Sequence, residues 1–234
     1  MNKAIILAGG LGSRLRSEVS ELPKSMAPID GRPFLEYQLD GLMSQGIEEV
    51  ILSVGYKSNH IIDHFGSRYG SLIISYSTED KPLGTGGAVK KALENIEDNY
   101  IFILNGDSIF QVDLKDMEQE HLKQGADCTL AIKELENFDR YGQVITALDG
   151  TIIQFKEKEP CEKGMISGGI YCLSVDSFKP LSFPEKFSIE KDFFEKYVDQ
   201  LRFHSYESVG QFLDIGVPVD FKKAQTLIPA WARK

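Results

Sequence analysis

The chain has 234 residues, 42% hydrophobic and 26% charged, an ordinary globular composition rather than that of a disordered or membrane-embedded chain. With 26 Lys and Arg against 35 Asp and Glu, its net charge of −9 argues against coating nucleic acid or an anionic membrane, so neither is an expected partner; a nucleotide in a local basic pocket stays allowed. The three cysteines form no CxxC pair, no apolar run of about 18 residues occurs, and the run at the amino terminus is too short for a signal peptide's hydrophobic region. A reducing, cytoplasmic setting is therefore expected.

In chain order, Lys3–Ala8 is a compact apolar run stopped by Gly9 and Gly10, the pattern of a buried strand entering a glycine loop. Pro33 suits a helix's first turn, followed by Phe34, Leu35, Leu39, Leu42 and Met43 at helical spacing until Gly46. A strand is predicted at 48–54, a short helix led by Ser58, a strand at 72–76, a helix opened by Thr85 and a strand at 100–104 that runs into Asn105-Gly106-Asp107. Strands alternating with helices predict the α/β class with a mostly parallel sheet, and ligands beyond the strands' carboxyl ends. From about residue 127 the connections shorten: strands are expected within 127–133, 143–158 and 165–173, with Asp149-Gly150 as a hairpin turn. Helical patterns return at about 188–199 and 217–228, separated by residues 202–207 and the strand-like 211–215. With no linker-like stretch, residues 1–234 are expected to form a single domain, 1–126 mainly nucleotide-binding and 127–234 mainly a sugar-binding extension with closing segments.

Leu7-Ala8-Gly9-Gly10-Leu11-Gly12-Ser13-Arg14 is a candidate phosphate loop, because small residues let backbone N–H groups approach an anion. A dinucleotide fingerprint fails at Leu15, and a Walker loop would need Gly-Lys-Ser/Thr. What remains is a glycine loop followed by Arg14 and, within Pro23-Lys24-Ser25-Met26-Ala27-Pro28, Lys24: fixed cations that suit a polyphosphate. Taken alone, such glycines equally describe a tight strand-to-helix turn, and Asn105-Gly106-Asp107 a plain turn.

The combination resembles the nucleotidyltransferase family that makes nucleoside-diphosphate sugars from a nucleoside triphosphate and a sugar 1-phosphate. The likeness rests on LAGGLGSRL, PKSMAPI, NGD, FKEK and FLDIGVP, in the family's order along the whole chain. It implies a Rossmann-like three-layer sandwich with a mostly parallel mixed sheet and a smaller β-rich extension for the sugar. The implied reaction is attack by a sugar 1-phosphate oxygen on the α-phosphorus, with pyrophosphate leaving from the opposite side. The attacker is already an anion, so positioning and cations rather than a general base should supply catalysis.

By the same resemblance, Arg14 would hold the β- and γ-phosphates, Lys24 the α-phosphate and Lys158 the incoming sugar's phosphate, while Asp107 and Asp214 would ligate Mg²⁺. Leu7, Ala8, Gly9, Gly10, Gly12 and Ser13 would line the nucleotide, and Gly142, Glu157 and Gly169 the sugar. Val217 stands where the family usually has threonine and Ser167 where it often has asparagine. The stretch from Glu79 through Gly84, Thr85 and Gly87 looks like a guanylyltransferase's base-recognition segment, in which glycines would admit the base edge and Glu79 would accept from guanine's N1–H and N2–H₂ together. GTP is thus the favoured donor, and a D-glycero-D-manno-heptose 1-phosphate is favoured over mannose 1-phosphate.

The same residues separate this reading from rival classes. A catalytically silent nucleotide-sugar-binding module would not need Arg14, Lys24, Asp107 and Asp214 intact, and a metal-dependent glycosyltransferase lacks its Asp-x-Asp. His60 and His64 stand four apart beside Asp63 without a convincing third ligand, which favours a solvated helix face. The aromatics at 187, 193, 194 and 197 read as helix-face packing, and a homodimer stays open.

Overall fold

The computed structural model describes residues 2–10, 12, 15, 19 and 21–232. Strand β1 (Lys3–Leu7) is followed by a 3-10 turn at Lys24–Met26, the short pair β2 (Pro28–Ile29) and β3 (Arg32–Pro33), and helix α1 (Phe34–Ser44). Next come β4 (Glu49–Val54), α2 (Ser58–Phe65), β5 (Arg68–Tyr69), β6 (Leu72–Thr78), α3 (Gly84–Ala92), β7 (Tyr100–Asn105) and β8 (Ser108–Phe110). Then follow α4 (Leu114–Gln124), β9 (Cys128–Phe138), β10 (Val144–Thr146), β11 (Ile152–Phe155), β12 (Cys161–Ser174) and α5 (Val175–Phe178). The chain closes with a π-helix over Ile189–Glu195, β13 (Phe203–Glu207), β14 (Phe212–Asp214) and α6 (Pro218–Ala232).

Two compact units divide these elements: an amino-terminal unit of residues 2–82, 104–109 and 211 onward, and an inserted unit of 83–103 and 110–210. Strands neighbour one another in the order β1-β4-β6-β5 in the first unit and β13-β9-β12-β7 in the second. The α/β class is therefore as the alternating pattern predicts. Helix α3, which begins with the predicted base-recognition glycines, clusters with the later strands rather than with residues 2–82.

In the amino-terminal unit β1 pairs parallel with β4, Lys3 opposite Glu49 through Leu7 opposite Ser53, and β4 pairs parallel with β6. Parallel neighbours need crossovers, and α1 and α2 supply them. The apolar runs are buried as expected: Ala4, Ile5 and Ile6 are fully inaccessible, as are Val50, Leu52 and Val54. Leu15, Ala27, Ile29, Phe34, Ile215, Phe221, Ala224 and Ile228 form one apolar cluster, so α6 is a core element here. Pro218 begins α6, a position where its missing N–H costs nothing.

In the inserted unit β9 pairs antiparallel with β12 and parallel with β13. Asp149-Gly150 makes the expected turn between β10 and β11, with Gly150 at φ +84° and Asp149 Oδ1 accepting from Thr151 N–H at 2.9 Å. Phe187, Phe193 and Phe194 are buried and in ring contact with Phe178, Phe183, Tyr171 and Phe203, which makes them packing, as their spacing suggests. Besides the short β2, β3, β5, β8 and α5, which the sequence reading does not name, three longer elements differ from it. Residues 202–207, read as a separator, hold β13; the segment near 188–199 is π-helical over Ile189–Glu195; and α4 was not predicted at all. Helix α4 is rich in charged residues, yet it carries an Asp113 cap, a Gly125 stop at φ +56° and buried Leu114, Met117 and His121 at helical spacing.

Candidate active site

Within the amino-terminal unit the predicted phosphate residues gather at the carboxyl ends of the parallel strands. Leu7 ends β1, and Ala8 continues the pairing by donating to Ser53 O at 2.8 Å. Gly9 follows where a Cβ would come within 3.1 Å of both Glu79 Oε1 and Gly55 N. A side chain there would press on the Glu79 carboxylate, which sits one residue past β6 and whose backbone N–H donates to Val54 O at 2.8 Å. Gly10 faces open space, and Gly12 takes φ +56° against the Lys24 side chain. Ser13 and Arg14 lie outside the described residues.

Lys24 leads its 3-10 turn while Ser25 and Met26 are buried behind it, which directs the ammonium forward. Its side chain is only 10% exposed, and Nζ donates to Asp107 Oδ2 at 2.5 Å. Asp107 stands in the turn between β7 and β8, preceded by Gly106, whose N–H donates to Leu7 O at 3.1 Å. A Cβ on Gly106 would lie 2.5 Å from that same oxygen, so glycine lets the turn close against the end of β1. Asp107's own carbonyl accepts from Ile215 N–H at 2.9 Å, which brings the end of β14, and with it Asp214, beside the turn. Asp214 Oδ1 accepts from Gly216 N–H at 2.7 Å, and this oxygen and Lys24 Nζ lie 2.6 and 3.5 Å from the point a Cβ of Gly216 would occupy. One cation and two carboxylates, from segments 83 or more residues apart, thus share one strand edge.

Whether these residues suit a magnesium ion turns on donor chemistry. Mg²⁺ keeps several waters and takes one or two carboxylates plus substrate phosphate oxygens. Asp107 and Asp214 match that donor set, and among the described residues no group of three or more His, Cys, Asp or Glu forms a fuller protein cage. His60, His64 and Asp63 make no such group either, and His64 Nε2 instead meets Glu36 Oε1 at 2.9 Å.

The inserted unit carries the remaining predicted residues. Gly84, Gly86 and Gly87 are filled by their own chain: Cβ atoms there would fall 2.4 Å from Phe187 O, 2.2 Å from the Phe187 ring and 2.6 Å from Glu185 O. Gly86 N–H donates to Phe187 O at 3.0 Å, Phe187 N–H to Leu83 O at 3.0 Å, and Thr85 Oγ1 donates to Glu190 Oε2 at 2.8 Å while accepting from Ile189 N–H. Residues 185–187 therefore approach so closely that they already require glycine at these positions. Glu157 and Lys158 stand exposed in the loop between β11 and β12. Lys191 of the π-helix meets Glu157 Oε1 at 2.8 Å and holds its carboxyl below the usual range. At Gly142 a Cβ would lie 2.6 Å from Lys156 O, and Gly169, at φ +79°, occupies the register shift in β12 between Ser167 and Tyr171.

Two features escaped the sequence reading. Gln38 on α1 donates to Asn105 O and Ser108 O, both at 2.8 Å, and Lys191 pairs with Glu157; neither carries a motif, and the partners lie 34 to 70 residues away.

A parallel sheet whose strand ends carry a glycine loop, a largely enclosed lysine and two aspartates is the arrangement expected of a phosphate-loop α/β protein. The chain belongs to the nucleotidyl transferase family, whose sequence model matches residues 3–230, as the five motifs imply. Over 223 residues it is 51% identical to a D-glycero-alpha-D-manno-heptose 1-phosphate guanylyltransferase of Aneurinibacillus thermoaerophilus, covering 95% of this chain and 96% of that one. A protein of the same name from Campylobacter jejuni is 42% identical over 94% of this chain and 96% of its own. Among solved structures, HddC from Yersinia pseudotuberculosis complexed with GMP-PN superposes with a TM-score of 0.85 at 34% identity, covering 96% of this chain and 98% of that one. A mannose-1-phosphate guanyltransferase of Schizosaccharomyces pombe is more distant, 30% identical over 99% of this chain and 66% of its own length. No described helix is long and apolar enough to cross a membrane.

Proposed function

We propose that this protein transfers GMP from GTP to a D-glycero-α-D-manno-heptose 1-phosphate, giving GDP-heptose and pyrophosphate. The observation that carries the reading is the meeting of Lys24, Asp107 and Asp214 at one strand edge, in a chain 51% identical to a guanylyltransferase of that specificity. Guanine as the base is supported by the Glu79 carboxylate beside Gly9, a group whose chemistry suits the adjacent N1–H and N2–H₂ donors of guanine.

In the reaction an oxygen of the sugar phosphate forms a bond to the α-phosphorus as the bond from that phosphorus to the β-bridging oxygen breaks. Pyrophosphate carries away the electron pair. A magnesium ion held by Asp107 and Asp214 would neutralise phosphate charge and orient the leaving group. Lys24, which pairs with Asp107 here, would exchange that carboxylate for α-phosphate oxygens; its burial keeps water from competing. Arg14 and Ser13, with the loop from Leu7 to Gly12, would cradle the β- and γ-phosphates. Gly84, Thr85 and Gly87 would border the nucleotide through the helix they begin. Lys158 would receive the incoming phosphate, while Glu157, Gly142 and Gly169 would face the sugar. The deciding experiment is a pyrophosphate-release screen of GTP, ATP, CTP, UTP and dTTP against heptose and mannose 1-phosphates, with an Asp107→Ala control. Turnover of GTP with the heptose supports the reading; preference for a pyrimidine nucleotide or for mannose 1-phosphate overturns its specificity, and no turnover of any pair overturns the reaction.

A further inference from the structure

The turn that presents Asp107 is gripped from behind by one side chain. Gln38 projects from α1, is 6% exposed, and donates both amide hydrogens, one to Asn105 O and one to Ser108 O, each at 2.8 Å. These two carbonyls open and close the Asn105–Ser108 segment. Between them, Gly106 N–H is bound to Leu7 O and Asp107 O accepts from Ile215 N–H. Every residue of the segment thus contributes a backbone group to a bond with another element. Gln38 holds both ends at once.

The amide's orientation follows from chemistry. Carbonyl oxygens only accept, so the NH₂ end must face them and the side-chain oxygen must point away. That oxygen, Oε1, is buried with no hydrogen-bond partner among the described residues. A buried polar atom left without a partner opposes folding, so packing alone does not account for glutamine at this position. What the amide supplies is a two-point clamp that fixes the path of the turn, and hence the direction in which the Asp107 carboxylate leaves it.

We propose that Gln38 is a positioning residue for the phosphate-bearing metal site, acting through the Asn105–Ser108 turn to aim Asp107. The proposal rests on Asp107 serving as a ligand, as set out above. A carboxylate that must meet both a cation and a phosphate tolerates little misdirection, and groups that orient metal ligands characteristically change metal affinity or activity about 10- to 100-fold when removed.

The test compares wild type, Gln38→Met, Gln38→Asn, Tyr37→Phe and Asp107→Asn. Gln38→Met keeps the length and loses both donors, and Gln38→Asn keeps the amide one methylene short of the turn. Tyr37→Phe removes a neighbouring buried hydrogen bond, Tyr37 Oη to Ile29 O at 3.1 Å, on the same helix. Each protein is assayed for the Mg²⁺ dependence of turnover, for Mn²⁺ binding in the presence of GTP by electron paramagnetic resonance, and for melting temperature. We expect both Gln38 variants to need about 10-fold more Mg²⁺ for half-maximal rate and to bind Mn²⁺ correspondingly less tightly, with excess Mg²⁺ restoring much of the rate. Tyr37→Phe should melt earlier with unchanged metal dependence. Folded Gln38→Met or Gln38→Asn with wild-type Mg²⁺ and Mn²⁺ behaviour would overturn the proposal, as would activity losses that merely track melting temperature across all three helix variants. If one Gln38 variant does not fold, the other decides. Asp107→Asn with wild-type metal binding and turnover would instead sink the site reading itself.

Discussion

The two units treat their charged residues in opposite ways. In the amino-terminal unit the Lys24 side chain is 10% exposed, clamped to Asp107 and hemmed by Gly12 and Gly216, so its position is set before any ligand arrives. In the inserted unit Glu157 is 70% exposed and pairs with Lys191, itself on the surface. The difference matches what each group would be asked to do. Charge building up at phosphorus is best met by preset, desolvated partners, and that stabilisation appears in kcat. A sugar phosphate captured by long solvated side chains orders them on arrival, and that contribution appears in KM.

The sharpest way to break the contrast is at its most constrained point. Asp107→Asn keeps the shape but removes the charge facing Lys24, and kcat should fall about 10²- to 10³-fold with the melting temperature little changed. Lys24→Met removes the buried cation and leaves Asp107 unneutralised; kcat should drop by about 10²-fold, with a smaller change in the KM for GTP. An equal rise in both Michaelis constants with kcat intact would make Lys24 a binding group only, and the contrast would dissolve.

The inserted unit should instead be broken through packing. Gly86→Ala would place a methyl 2.2 Å from the Phe187 ring, and the forced shift should cost about 1–3 kcal/mol, lowering the melting temperature by several degrees. Acid should loosen the same unit. Burial, opposed by Asp127 and Glu118, pushes the His121 imidazole down to about 4 from its ordinary 6.5. Below pH 6.5 the unfolded chain takes up a proton that the folded one refuses, so the stability present at neutral pH should drain away between about 6.5 and 4. Urea midpoints at pH 7 and 5 measure this, and His121→Phe should flatten the difference. The smallest effect belongs to the surface: Lys191→Ala should leave the melting temperature where it is and raise the KM for the sugar phosphate only a few-fold, because an exposed pair is screened.

Much of the site was legible because its residues announce themselves by local pattern. The run Lys3–Leu7 reads as a strand that enters a glycine loop, and Asp107 as a residue just past a strand end. Other residues were misleading or silent for equally physical reasons. Gly84 and Gly87 read as glycines that admit a base edge, and a segment one hundred residues away crowds them; a glycine run has the same letters for either demand. Helix α4 hid behind its charges, since only three of its eleven residues are buried.

Sequence by itself determined the α/β class, the family and the chemical kinds of side chain available for phosphate, because apolar periodicity and the order of short motifs are properties of neighbours along the chain. Only the tertiary structure decided that Lys24 meets Asp107, that Asp214 arrives beside them through Ile215, and that Gln38 grips the intervening turn. Those contacts join residues 67 to 108 positions apart, and hydrogen bonds over such separations are selected by how strands and helices pack, which no local pattern encodes.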